Sequence, residues 1–171
     1  TAYYFDQQRV WKLYGRVRIL TKDGLTEDVL KSLNVKVSAD KVYLNSKIPF
    51  AYNYIDKNYT VNHMSDQQGE HGSHVAGIAA ANAYIQQDDG TFASALESVK
   101  VQGVAPDAQL VVMKVFGAGG GAYDSDYMAA IEDAIVLGCD SVNLSLGSGS
   151  PGFSRVDKDY AEIMDNIAKS G

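Results

Sequence analysis

The alternation of apolar and polar positions changes character near Gly69. Before that point it is irregular. "LTEDVLKSL" (Leu25 to Leu33) predicts a short helix, with Thr26 as cap, acids in the first turn and leucine or valine on one face. "KIPFAYNYI" (Lys47 to Ile55) predicts a strand, bounded by the polar, turn-forming "DKNYTVNHMSDQQG". After Gly69 the pattern becomes orderly. It predicts an alanine-rich helix from about Gly72 to Tyr84, a polar loop "IQQDDGTFASALESVKVQG", an apolar strand "QLVVMKVF" (Gln109 to Phe116) and a Gly-rich turn "GAGGGAY". A helix follows over "DSDYMAAIEDAIVLG" (Asp124 to Gly138), then a strand in "DSVNLSLG" (Asp140 to Gly147), then a last helix in "DKDYAEIMDNIAKSG". Near-continuous apolar strands separated by helices of about a dozen residues are the mark of a parallel sheet covered on both faces. The expected fold class is therefore α/β, an open, mostly parallel sheet with helices on both faces and right-handed crossovers. An alternating fold should supply another strand after "AKSG", so the architecture is expected to be incomplete.

Composition narrows the partners. At 171 residues and 46% hydrophobic, the chain can bury one core and fits a single domain or a large piece of one. Its 21 acidic against 15 basic residues give a formal charge of −6, without a Lys/Arg cluster, which argues against nucleic acid as a partner. Cys139 is the only cysteine, so an internal disulfide and a cysteine-rich metal site are excluded. No apolar run approaches the roughly 20 residues of a membrane span, and "TAYYFDQQRVWK" lacks the order of a signal peptide.

Two of the three histidines fall together in "GEHGSHVAGIAAAN" (Gly69 to Asn82). His71 and His74 are three apart and would share a helix face, but a zinc-peptidase helix needs histidines four apart with the glutamate between them. Here Glu70 lies outside the pair, and His63 is the remaining imidazole. A second reading has both histidines hydrogen-bonding within a helix start; a third makes one imidazole at the helix N-terminus a general base for a nucleophile. "GAGGGA" (Gly117 to Ala122) also satisfies a glycine-rich dinucleotide pattern between a strand and a helix. Against that reading, the helix is expected to begin only at Asp124 or Ser125, and Asp140 stands at the start of its strand and not at its end, so that it could not meet a ribose.

The string "HGSHVAG" (His71 to Gly77) resembles the histidine motif of the subtilisin-like serine peptidases, with Ser73 where the family usually has Thr. The likeness extends through "GVAPDAQLVVMKVFG" and "AIEDAIVLGCDSVNLSLGS" at the family's order and spacing. From Lys47 to Gly171 the chain is similar in particular to the lactocepin-like cell-envelope proteinases, whose "KIPFAYNY"-type strand and "GFS…D" segment it shares. The resemblance implies a serine endopeptidase acting on protein or peptide substrates, secreted or associated with the cell wall. It maps the catalytic base onto His71, which would take the proton of a serine hydroxyl, and leaves His74 a structural role. Ser145, Leu146 and Gly147 resemble one substrate-binding strand, and Gly120, Gly121 and Ala122 the strand facing it, so that a peptide could lie between them as an added strand. Gly72, Gly77 and the alanines up to Ala81 would let their helix approach the sheet closely.

No Asp-small-Gly motif and no Gly-Thr-Ser motif occurs. Asp6, after "AYYF", is a superficial candidate for the family's aspartate, but "QQR" follows it. The resemblance thus implies a partial catalytic domain, with residues 1–46 an insertion-like segment between the Asp and His motifs and residues 47–171 the core. Such a chain is expected to be inactive alone, with the remaining part of the same domain as a partner and no cofactor. A calcium site among the acids of "QQDDG" receives no ligand assignment. The alternative in another class is a non-catalytic peptide-binding module.

Overall fold

The computed structural model describes residues 2–5, 10–13, 19–63, 66–81, 84–89, 91–95, 98–99, 101–147 and 158–170. Strands β1 (Ala2–Phe5) and β2 (Val10–Leu13) pair antiparallel. Helix α1 (Glu27–Lys31) starts where the sequence predicts: the Thr26 side chain accepts from the Val29 N–H at 3.3 Å, and Glu27 and Asp28 occupy the first turn. The short helix α2 (Ala39–Val42) was not expected and buries Val42. Strand β3 (Phe50–Asn53) is buried at every position, as an apolar run covered on both faces should be.

Strand β3 pairs in parallel with β6 (Val111–Lys114), in the register Phe50 to Val111 through Asn53 to Lys114. Helix α4 (Asp124–Val136) follows β6, so the β-turn-α order of an α/β protein is present. Period 2 puts Phe50, Tyr52 and Tyr54 on one side of β3, where they join Leu25, Leu33, Val35, Val42, Ala130 and Leu137 in the core. Tyr52 meets Tyr54 edge-on at 5.3 Å between ring centroids. Helix α5 (Lys158–Ser170) buries Ile163.

Three expectations are corrected. The segment 140–147 joins no ladder: Val142, Leu144 and Leu146 are 43%, 43% and 38% exposed. Its alternation is that of a strand, but among the described residues no second backbone pairs with it. The expected polar loop contains an antiparallel hairpin, β4 (Tyr84–Gln86) with β5 (Phe92–Ser94). Its turn is closed by Gln87 N–H to Thr91 O at 2.8 Å and by Asp89, whose Oδ1 accepts from the Thr91 N–H and hydroxyl at 2.9 and 2.6 Å.

The third correction concerns helix α3 (His71–Ala80), which stops four residues short of the predicted Tyr84. Val104 N–H donates to Ile78 O and Ala105 N–H to Ala79 O, each at 2.8 Å, and Gly103 N–H donates to Ala81 O at 3.0 Å. These are carbonyls a continuing helix would have used, so the strap 103–105 both ends α3 and satisfies its C-terminus. The close approach assigned to Gly72 and Gly77 is absent, since a Cβ on either meets nothing within 4 Å. It occurs at Gly103 instead, where a Cβ would lie 2.4 Å from Ala81 N and 2.5 Å from Ala80 N.

One polar group sits at the centre of the packing. Asp133 is fully buried. Its Oδ2 accepts from the Tyr54 hydroxyl at 2.8 Å, and its Oδ1 accepts from the Asn34 N–H at 2.7 Å and Asn34 Nδ2 at 3.1 Å. Burial pushes the Asp133 carboxyl above the ordinary carboxylate range, against the lowering effect of the Asn34 and Tyr54 donors.

Two outcomes follow. Gly103→Ala forces a Cβ into backbone and is expected to destabilise the chain by about 3 kcal/mol, read as a lowered urea midpoint. For Asp133 the folded state binds its proton more tightly than the unfolded chain. Its contribution is therefore fully present below about pH 3.9 and lost as pH rises through the folded-state value. The stability of the native chain relative to Asp133→Asn is expected to fall over that window in urea titrations at successive pH values, and a flat difference refutes the account.

Candidate functional site

His71 is the first residue of α3 and is exposed. Glu70 is its N-cap, without a side-chain cap bond, while its carbonyl accepts from the His74 N–H at 2.9 Å. The approach to the helix is a pair of linked turns. Asp66 N–H donates to His63 O and Gly69 N–H to Asp66 O, each at 3.0 Å. Gly69 has φ +54, the left-handed conformation in which glycine is free of strain.

These turns are fixed to the end of β6. The Lys114 ammonium pairs with Asp66 Oδ2, both side chains nearly out of solvent. Just beyond, Gln67 N–H donates to Ala118 O at 3.1 Å and Gln68 Nε2 to Gly120 O at 2.9 Å. Gly120 has φ +75, and a Cβ there would lie 3.0 Å from Gln67 Oε1. Both its backbone and its neighbours therefore call for glycine. The structure thus joins the turns that present His71 to the Gly120–Ala122 turn, two of the regions that sequence singled out.

Among the described residues the third region is not joined to them by any strand pairing. Ser145, Leu146 and Gly147 are exposed, and Ser145 Oγ accepts from Asn143 Nδ2 at 2.9 Å within the same segment. Gly121 is exposed and Ala122 half-buried, immediately before α4. Asp6 lies outside the described residues.

Glu70 stands between the other two histidines, with His63 Nε2 at 3.5 Å from Oε1 and His74 Nε2 at 3.9 Å from Oε2. Among the described residues no three His, Cys, Asp or Glu side chains are grouped to hold a metal ion. His74 lines a pocket of 240 Å³ with Gly77, Ile78, Ala81, Val101 and Gln102. The Gly-rich turn closes on itself, Gly117 N–H to Gly121 O at 3.1 Å and Gly120 N–H to Gly117 O at 2.9 Å. Those amides are engaged, and α4 begins only at Asp124, so the turn does not offer a pyrophosphate cradle at a helix start. Of the acids in "QQDDG", Asp89 is held by Thr91, whose hydrogen bonds keep its carboxyl below the usual range.

Sequence reasoning missed Gln67, Gln68, Asp66 and Lys114. The stretch "SDQQG" is legible as a turn, but its partners, Lys114, Ala118 and Gly120, lie about 50 residues away and no local pattern names them.

The model of the Subtilase family matches residues 32–170. The chain is 39% identical over 132 residues to the PI-type proteinase of Lactococcus lactis subsp. cremoris, covering 75% of this chain and 6% of that protein. It is 30% identical over 169 residues to the C5a peptidase of Streptococcus pyogenes serotype M6 (strain ATCC BAA-946 / MGAS10394), covering 98% of this chain and 13% of that protein. It is 37% identical over 102 residues to the minor extracellular protease Vpr of Bacillus subtilis (strain 168), covering 57% of this chain and 11% of that protein. The chain therefore spans a small part of the length of the curated relatives it matches. With the family model covering most of its length and the histidine motif at the exposed start of α3, the chain belongs to the subtilase family.

Proposed function

We propose that this chain is part of the catalytic domain of a serine endopeptidase that cleaves peptide bonds in proteins, acting outside the cell or at its wall. The observation that carries the reading is the family match over residues 32–170, within which "HGSHVAG" begins at an exposed helix N-terminus. In this reading residues 47–171 are core and residues 1–46 an insertion-like segment. His71 accepts the proton of a serine hydroxyl as that oxygen attacks the substrate carbonyl, and returns it to the departing amine. The exposed position of His71 supports this role, since a base must reach both nucleophile and substrate. Gly120, Gly121 and Ala122 on one side, and Ser145, Leu146 and Gly147 on the other, hold substrate main chain as an added strand.

The 171 residues contain no Gly-Thr-Ser sequence. The nucleophile, its oxyanion donors and the orienting carboxylate then come from the remaining part of the domain, which is the proposed partner. A base without those groups retains little catalysis, because the members act as a unit. No cofactor enters the mechanism, and calcium is assigned no ligands.

The chain alone is expected to give no labelling with a fluorophosphonate probe and no turnover of a peptide substrate. Mixing it with a polypeptide carrying the rest of the domain is expected to restore turnover. His71→Ala is expected to lower the restored kcat by about 10⁴-fold or more. Labelling of the chain by itself overturns the reading, and peptide binding without turnover in the mixture favours the non-catalytic module.

A further inference from the structure

We propose that Lys57 and Asp126 are positioning residues that keep the Gly120–Ala122 edge in the shape that receives a peptide main chain, a role that rests on the reading of that edge given above. Lys57 has φ +53, a left-handed backbone that a residue with a side chain adopts only where its surroundings enforce it. Here they do. Asn53 and Asn58 exchange backbone hydrogen bonds at 2.9 and 3.3 Å. The buried Asn53 side chain accepts from the Asp56 N–H at 3.0 Å and donates to Asp56 Oδ2 and Thr60 O, each at 2.9 Å. Held in this turn, Lys57 Nζ lies 2.6 Å from Asp126 Oδ1. The Asp126 side chain, in the first turn of α4, is 11% exposed, and among the described residues Lys57, itself 59% exposed, is the cation paired with it. Removing the cation leaves a nearly buried charge without that partner, at the N-terminus of α4.

The same turn meets the other end of the Gly-rich segment. A Cβ on Gly117 would lie 3.2 Å from Ile55 Cδ1 and 3.8 Å from Asp56 Oδ1. Residues 117–126 therefore begin against Ile55 and Asp56 and end on Lys57, with Gln68 holding Gly120 O between. Glycines have the widest choice of backbone conformations, so a glycine-rich edge keeps one shape only when its ends are fixed. Release of one end loosens Gly120–Ala122 without altering a residue of the edge.

Hydrogen exchange on the 171-residue chain tests this. Lys57→Met and Asp126→Asn are each expected to speed exchange of the Gly117 and Gly120 amides about tenfold, with the amides of the β3–β6 ladder unchanged. Both are expected to weaken binding of a capped Thr/Val-rich hexapeptide by about 3- to 10-fold. Lys57→Arg, which keeps the cation, should restore both readouts. Lys57→Gly, which removes strain together with the cation, should behave as Lys57→Met, because the tether and not the strain does the positioning. Unchanged exchange at Gly117 and Gly120, or faster exchange that includes the ladder, overturns the proposal. Faster exchange at the turn with no peptide bound by any variant, the native chain included, leaves the tether and refutes the substrate-edge reading alone.

Discussion

The Lys114–Asp66 ion pair is the contact on which the candidate site depends. Lys114 closes β6, and its carbonyl accepts from the Tyr54 N–H at 2.8 Å, one step past the end of the parallel ladder. Its side chain then reaches out of the sheet to the turns that lead to His71. Both charged side chains are nearly removed from water, at 13% and 9% exposure. Losing one partner of such a pair costs about 3–5 kcal/mol, because the other charge is left buried and unmatched. The position of an exposed histidine is in this way set by a buried contact five residues before it.

Two polar anchors therefore bracket the short parallel sheet. On one side Asp133 collects the Tyr54 hydroxyl and the Asn34 amide, tying β3 and α4 to the connection between α1 and α2. On the other, Lys114 and Asp66 tie β6 to the approach of α3. Between them Phe50, Tyr52 and Tyr54 supply the apolar packing. The first anchor specifies which helices cover the sheet, and the second specifies where the candidate base His71 stands relative to it. The division matters because apolar packing is tolerant of small shifts, whereas a hydrogen-bonded charge is not.

What the sequence made legible were features set by neighbours along the chain. Thr26 followed by two acids fixed the start of α1, and the run of apolar residues around Phe50 fixed β3. The motif "HGSHVAG" placed His71 at a helix start, and the structure has it there. The hairpin of β4 and β5 is also written locally, as Asp-Gly flanked by Tyr84-Ile85 and Thr91-Phe92, but the polar composition around it reads equally well as a loop. What could not be read were contacts that depend on distant partners. The end of α3 is decided by residues 103–105, which supply the competing donors. The strand expected at 140–147 has the right alternation but no ladder, since a strand exists only with a second backbone beside it. Glycines in α3 suggested close packing, yet the tight approach came from Gly103 on the strap instead.

The strap has a further consequence for how α3 exists at all. The helix has ten residues, two of them glycine, and no side-chain cap at its start. A segment of that length and composition has little tendency to be helical in water by itself. Its final turn is completed only when Gly103–Ala105 arrives from more than twenty residues downstream. The element bearing the candidate base is thus cooperative with a distant piece of chain: it is ordered by docking and not by its own letters. Opening of the strap and fraying of the helix are then one event, and the sharpness of the His71 position is a property of the loop between them as much as of the motif itself.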